Sequence, residues 1–326
     1  MRIRYLPRAF VLALAFLAAN VAAAPPVLAQ DYPQREIHLY VGFAAGSGAD
    51  LLARYIASKL SEKAGKPVIV ENKPGASATI GAQAAALAKP DGYTLLLTGS
   101  STHATAPSLF KKLAFDPVKD FTPITTVQKL AFVLMVDAKT PVNNVAELTE
   151  YLKKKGKTSY GVSNTTSLAA GEQYKTATGL DVLRVNYKAT QEGVRDLFAG
   201  LIDFMFIDAG FAMQQVNAGK MRALAVTSAE RISVAPNVPT MMESGFAGFE
   251  LTPWWAMYGP AGMPQPIVDK LAGWLNEIMA SEETRKFFAS TGAEPFLGNA
   301  KVLADFQVKE IEKWGRIFRA AHVEPE

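Results

Sequence analysis

The stretch Gly42-Phe43-Ala44-Ala45-Gly46-Ser47-Gly48 sits between an apolar run, Ile37 to Val41, and a segment with Leu51, Leu52, Ile56 and Leu60 at helical spacing. A glycine-rich turn that opens a helix presents unpaired backbone N–H groups at the positive end of the helix dipole, and so makes a site for an anion. The anion can be a dinucleotide phosphate or a carboxylate. Glu71, ending the next apolar run, fits the first reading, because an acid there contacts a ribose hydroxyl.

Further spacings offer enzyme alternatives. Tyr151-x-x-x-Lys155 has the spacing of the short-chain dehydrogenase pair, which makes an NAD(P)-dependent oxidoreductase the leading rival. Ala138 stands where that chemistry expects a serine upstream of the tyrosine. Ser108-x-x-Lys111 with Lys157-Thr158-Ser159 hints at serine acyl transfer, but Ser163-Asn164 lacks the acid of the third motif. Ser100 or Ser101 with His103 and an aspartate would make a triad, yet no Gly-x-Ser-x-Gly elbow accompanies them. The chain has no cysteine and three histidines, none paired at metal-binding helical spacing, so neither a metal nor another cofactor is expected.

The elements that must carry these residues follow from periodicity. Strand, glycine turn, helix and strand over residues 36–72 form a βαβ unit, and a second helix precedes the strand from Tyr93 to Leu97. The loop Thr98 to Ala106, with Ser100, Thr102 and His103, leaves a carboxyl end of that parallel sheet, where open α/β folds bind ligands. The layout repeats: strands over 131–136 and 158–162 flank a helix, and a polar turn from Ser163 through Asn164 and Thr165 to Ser167 opens another. Phe206 and Trp254 stand beside later polar turns as candidates for the cleft wall. The expected fold class is α/β with two lobes.

At 326 residues the chain is long for one compact domain, and 49% hydrophobic with 20% charged residues can bury a substantial core. Residues 1–29 combine a basic start, an apolar run from Ala9 to Ala24 and a small-residue exit at Val27-Leu28-Ala29, the pattern of a cleaved signal peptide. Without its three arginines the mature chain carries 31 basic against 30 acidic residues, so the formal +4 falls to +1. Nucleic acid is therefore not an expected partner.

Several long segments, in order, resemble the tripartite tricarboxylate transporter solute receptors, or Bug receptors. They are VGFAAGSGADLLAR at 41–54, VIVENKPGASATIGAQ at 68–83, PDGYTLLLTGSSTHATAPSLFKKLAFDPVKDF at 90–121 and GKMRALAVTSAERISVAPNVPTMMESGFAGFE at 219–250. Trp254, YGPAGMPQPIVDKL and EIEKWGRIFRAA extend the likeness over nearly the whole mature chain. The resemblance implies a monomeric periplasmic receptor of the two-lobed binding-protein fold. One lobe would span 31–125 plus 250–326 and the other 126–249, closing on a small organic carboxylate between them. It implies delivery to the large and small membrane subunits of a permease, with a signalling partner as an alternative. Dicarboxylates and aromatic carboxylates suit the mixed polar and aromatic lining.

The resemblance places a carboxylate on Phe43, Ala44, Ala45, Gly46, Ser47 and Gly48, with Ser100 and Thr102 adding hydroxyls. Ser163, Asn164 and Thr165 form the second-lobe turn. The chain departs from the family pattern at Ala45-Gly46-Ser47, where Pro-Gly-Gly is common, at Lys188-Ala189-Thr190, and at the acid Asp208. Asp208 can accept from a ligand hydroxyl or amine, or from the protein backbone, and its charge argues against an unassisted carboxylate clamp.

Overall fold

A computed structural model describes residues 32–325, and the signal-peptide segment lies outside the described residues. Strand β1, Ile37–Val41, runs parallel to β2, Val68–Asn72, and to β3, Thr94–Gly99. Helix α1, Gly48–Ala64, links β1 to β2; the Ser47 side chain accepts from Asp50 N–H at its start, and Gly65 ends it in the left-handed region at φ 65°. Helix α2, Thr79–Ala86, links β2 to β3. After β3 comes a π-turn, Ser101–Thr105, and a short helix α3, Ala106–Leu109. Strand β4, Phe121–Leu130, then joins this first sheet.

The second sheet begins with β5, Phe132–Asp137, followed by α4, Val145–Lys155, and β6, Thr158–Val162. Helix α5, Thr165–Thr178, leads to β7, Val182–Asn186, and α6, Thr190–Phe198, to β8, Phe204–Asp208. Helix α7, Ala209–Asn217, and β9, Met221–Val226, complete the sheet in the order β7-β6-β8-β5-β9. The chain then returns through β10, Trp254–Pro260, α8, Gln265–Ala280, α9, Glu282–Thr291, β11, Ala293–Pro295, and α10, Ala300–Ala320. The first sheet thus has the order β11-β4-β10-β3-β1-β2.

Two strands of this sheet lie where the sequence reading assigns no element. Strand β4 contains Pro123, which removes a donor, and sits where the register against β10 shifts. Strand β10 lies in a run rich in proline, glycine and aromatics, and its pairing with both β3 and β4 makes it central. Long-range pairing overrides local composition at both places. The expected open loop over 98–106 is likewise a compact turn and short helix.

The chain passes between the sheets twice, at Ala131 and through residues 227–253. Thr227 joins the passages: its hydroxyl accepts from Phe132 N–H at 3.0 Å and donates to Leu251 O at 2.6 Å. Its backbone exchanges bonds with the same two residues. Beneath the second sheet Tyr160, Tyr174, Phe204, Phe206 and Phe249 form one buried aromatic cluster. Each ring contributes about 2 to 3 kcal/mol of burial free energy. Among the described residues no helix is long and apolar enough to cross a membrane.

Candidate ligand-binding cleft

The parallel strands of both sheets send their carboxyl ends into turns, and those turns hold most of the candidate residues. In the first lobe Ala44, Ala45, Gly46 and Gly48 are exposed, with Phe43 and Ser47 half-buried. The turn is fixed from below by Asp50, whose Oδ2 accepts from Gly46 N–H and from Arg54 Nε, both at 2.9 Å. Asn72 Nδ2 donates to Asp50 Oδ1 and to Phe43 O, each at 3.0 Å. The Arg54 side chain holds the Asp50 carboxyl down at about 2, helped by the Gly46 amide and Asn72 against the cost of burial. Gly46 N–H is thereby spent inside the protein, and Ser47 N–H bonds Ala44 O at 3.2 Å. The amides of Ala44, Ala45 and Gly48 have no partner among the described residues and remain for an anion.

Asp50, Arg54 and Asn72 are not singled out by the sequence reading, although an acid three residues after an N-cap serine and a basic residue four further on are a visible signal. Replacing Asp50 by alanine should cost about 2 kcal/mol at pH 7, the value of its depressed pKa, and should speed hydrogen exchange at Gly46. The Asp50 contribution is present above its unfolded value near 3.8 and disappears as pH falls to about 2. Denaturant titration and exchange mass spectrometry measure the two effects.

A second first-lobe feature also goes unnoticed in the sequence. Ala76, Ser77 and Ala78 follow Gly75 in the left-handed region, with φ of 45°, 53° and 73°. Such conformations cost about 1 to 2 kcal/mol per residue outside glycine and concentrate at ligand clamps. The turn survives because Gly42 lacks a side chain: a Cβ there would lie 2.7 Å from Ala78 O. Ser77 thus stands exposed beside the β1 loop, on the wall of a cavity of about 1110 Å³. Ser163, Asn164, Thr165 and Tyr187 line the same cavity from the second lobe.

Ser163 Oγ lies 3.0 Å from Thr190 Oγ1. Asn164 caps α5, accepting from Thr166 N–H at 3.1 Å and Ser167 N–H at 2.9 Å. Ser167 Oγ in turn accepts from Asn164 N–H and Ser163 N–H, closing a capping box. Thr165 is buried, 8% exposed, and its hydroxyl has no partner. Asp208 caps α7, accepting from Phe211 N–H at 2.9 Å. Burial raises its carboxyl above the usual range, and the Phe211 amide partly offsets this.

The residues lining this cavity include none of 43–48 and not Asp208, and the remaining candidates are not brought to it either. Ser100 Oγ accepts from Trp254 N–H at 2.9 Å and points back at Trp254 O, so it fastens β3 to β10. Thr102 is fully buried between Thr98 and His103, with Nδ1 of His103 at 2.9 Å. His103 is sealed among Phe115, Phe121 and Tyr258, and burial pushes its imidazole down to about 3. It is a neutral core residue. Phe206 stacks on Phe249 inside the aromatic cluster, and Trp254 donates its indole N–H to Glu310 at 3.2 Å. Both rings are essentially unexposed. A polar neighbour in sequence suggested a cleft wall, but inward-facing strand positions put both in the core. Among the described residues, no cluster of three or more acids and histidines could hold a metal.

Two α/β sheets, two crossings and turns gathered at strand carboxyl ends define a two-lobed solute-binding protein. Residues 52–323 match the model of the tripartite tricarboxylate transporter family receptor, and the chain belongs to that family. It is 31% identical to Protein BugT of Bordetella pertussis, over 92% of this chain and 94% of BugT. Of solved structures, R. palustris Rpa4515 with adipate superposes with TM-score 0.85 at 31% identity, covering 91% of this chain and all of that one. MatC from Rhodopseudomonas palustris with bound malate gives 0.79 at 29%, covering 88% and 99%. The protein is a solute-binding receptor and not an enzyme. The glycine turn and Tyr151/Lys155 spacing that suggested an oxidoreductase belong to the receptor fold.

Proposed function

We propose that the receptor works in the periplasm, captures a small organic carboxylate, a dicarboxylate or an aromatic carboxylate, and delivers it to a tripartite tricarboxylate-type permease of large and small membrane subunits. The observation that carries the reading is the exposed β1 turn, held rigid by Asp50 with the amides of Ala44, Ala45 and Gly48 unspent. Preorganised neutral donors at a helix start bind a carboxylate without a cation and with little ordering cost. Adipate and malate in the two relatives are carboxylates of this size. The lobes of this proposal are residues 31–125 with 250–326, and 126–249, except that β4 keeps residues 126–130 with the first sheet, and they move about the Thr227 crossing to shut the ligand from water.

Gly42→Ala tests the reading. Its Cβ would strike Ala78 and push the strained turn away from the β1 loop. Affinity for whichever carboxylate binds should fall at least tenfold while the melting temperature changes by a few degrees. Fluorescence titration of wild type and variant decides it; unchanged affinity would remove the two turns from the site.

A further inference from the structure

The first crossing between the sheets, Leu130 to Ala131, is gripped by backbone from both sides. Ala293 of β11 pairs with Leu130, whose N–H also donates to Pro253 O at 3.0 Å on the second crossing. From the second sheet, Ala209 N–H donates to Ala131 O at 3.0 Å. Next to these two partners in sequence stand Gly292, just before Ala293, and Gly210, just after Ala209, and both glycines are buried.

The two grips also touch each other. A Cβ on Gly210 would lie 2.5 Å from Thr291 O at the end of α9, and a Cβ on Gly292 would lie 2.7 Å from the Ala209 Cβ, where ordinary contact begins near 3.4 Å. Only residues without a side chain let the two backbones approach this closely. Gly292 has a local reason as well, since it ends α9 in the left-handed region at φ 67°. Gly210 has none: it sits in the first turn of α7 without a positive φ, where alanine would favour the helix. What requires glycine there is the first-lobe backbone against it.

We infer that Gly210 and Gly292 are positioning residues for ligand capture: their contact is the seat on which the lobes rest beside the crossing, and it fixes the angle at which the two sides of the ligand site meet. The inference rests on the carboxylate-receptor reading and deepens it. Packed backbone does not absorb a misfit by deforming, so a methyl group in the seat turns one lobe against the other. The seat lies about one strand spacing, roughly 4.8 Å, from the crossing, because Ala209 bonds Ala131 directly. Strand β1 lies three strands from β4, about 14 Å away. A wedge of about 1 Å in the seat therefore grows to about 3 Å at the β1 turn, which is more than a hydrogen bond tolerates.

The test compares two pairs of variants of the mature protein. Gly210→Ala is set against Gly273→Ala, an exposed position in α8 where a Cβ meets nothing within 4 Å. Gly292→Ala is set against Gly219→Ala, which has the same φ of 67° but open space around it, so the two share backbone strain and differ in the wedge. Adipate, malate and benzoate are titrated into each, dissociation is followed by stopped flow, and X-ray scattering is recorded with and without ligand. Gly210→Ala and Gly292→Ala should bind every carboxylate that wild type binds about tenfold or more weakly, chiefly through faster dissociation, and the controls should bind as wild type does. The urea midpoint of Gly210→Ala should stay near that of wild type, whereas a glycine needed only for packing would lower the midpoint and leave affinity unchanged. The radius of gyration of free Gly210→Ala should differ from that of wild type and Gly273→Ala. Unchanged affinity in Gly210→Ala and Gly292→Ala, or an equal loss in the controls, overturns the inference while the receptor reading stands. If no carboxylate binds wild type, the receptor reading fails; scattering then decides the seat alone, a changed profile for Gly210→Ala supporting it and an identical one overturning it.

Discussion

Thr227→Val will destabilise the protein by about 2 to 5 kcal/mol, because it strands two buried backbone groups at once. The valine keeps the shape of threonine but offers neither the acceptor for Phe132 N–H nor the donor for Leu251 O. Thr227 is fully buried, so water cannot replace either bond. Thr227→Ser keeps the hydroxyl and should lose about 1 kcal/mol for its methyl group. Urea unfolding of the pair separates the hydrogen bonds from packing. A valine variant within 1 kcal/mol of wild type would show that the crossing does not depend on this hydroxyl.

The second large effect is a steep loss of stability in acid. His103 stays neutral in the fold down to about pH 3, whereas in the unfolded chain it takes a proton near 6.5. Below that value the unfolded state binds the extra proton, so stability is complete above pH 6.5 and falls with acidification until the folded site itself titrates. The groups around the ring are Phe115, Phe121, Tyr258 and the Thr102 hydroxyl, none of which is charged at these pH values. The loss from this one residue should reach about 2 to 3 kcal/mol by pH 4.5 and about 4 to 5 by pH 3. Unfolding midpoints of wild type and His103→Phe at pH 7 and 4.5 measure it. The phenylalanine variant should lose less on acidification, and equal losses would place the acid sensitivity elsewhere.

Much of the fold was legible because local and tertiary signals agree. Apolar runs such as Ile37 to Val41 and Thr158 to Val162 are strands, and Ser47 and Asn164 begin helices as their side chains predict. Strands β4 and β10 were hidden, since each is defined by partners more than a hundred residues away and neither shows clean alternation. The site was legible in part. Its turns are short, polar and glycine-bearing, which composition reveals. What composition hides is which hydroxyl is bonded inside the protein and which is left without a partner. Ser100 and Thr165 are both buried hydroxyls after a strand, yet Ser100 grips Trp254 and only Thr165 is unpartnered. The strained Ala76-Ser77-Ala78 turn was equally invisible, because positive φ at alanine is unfavourable locally and is held by the approach of Gly42.

The most direct test of a carboxylate receptor is equilibrium titration calorimetry of ligand-free mature protein against intact di-, tri- and aromatic carboxylates, with chemical recovery of the ligand afterwards. Saturable one-site binding of at least one carboxylate, recovered unchanged, is the expected result; silence across the panel, or a recovered product in place of the ligand, would contradict it.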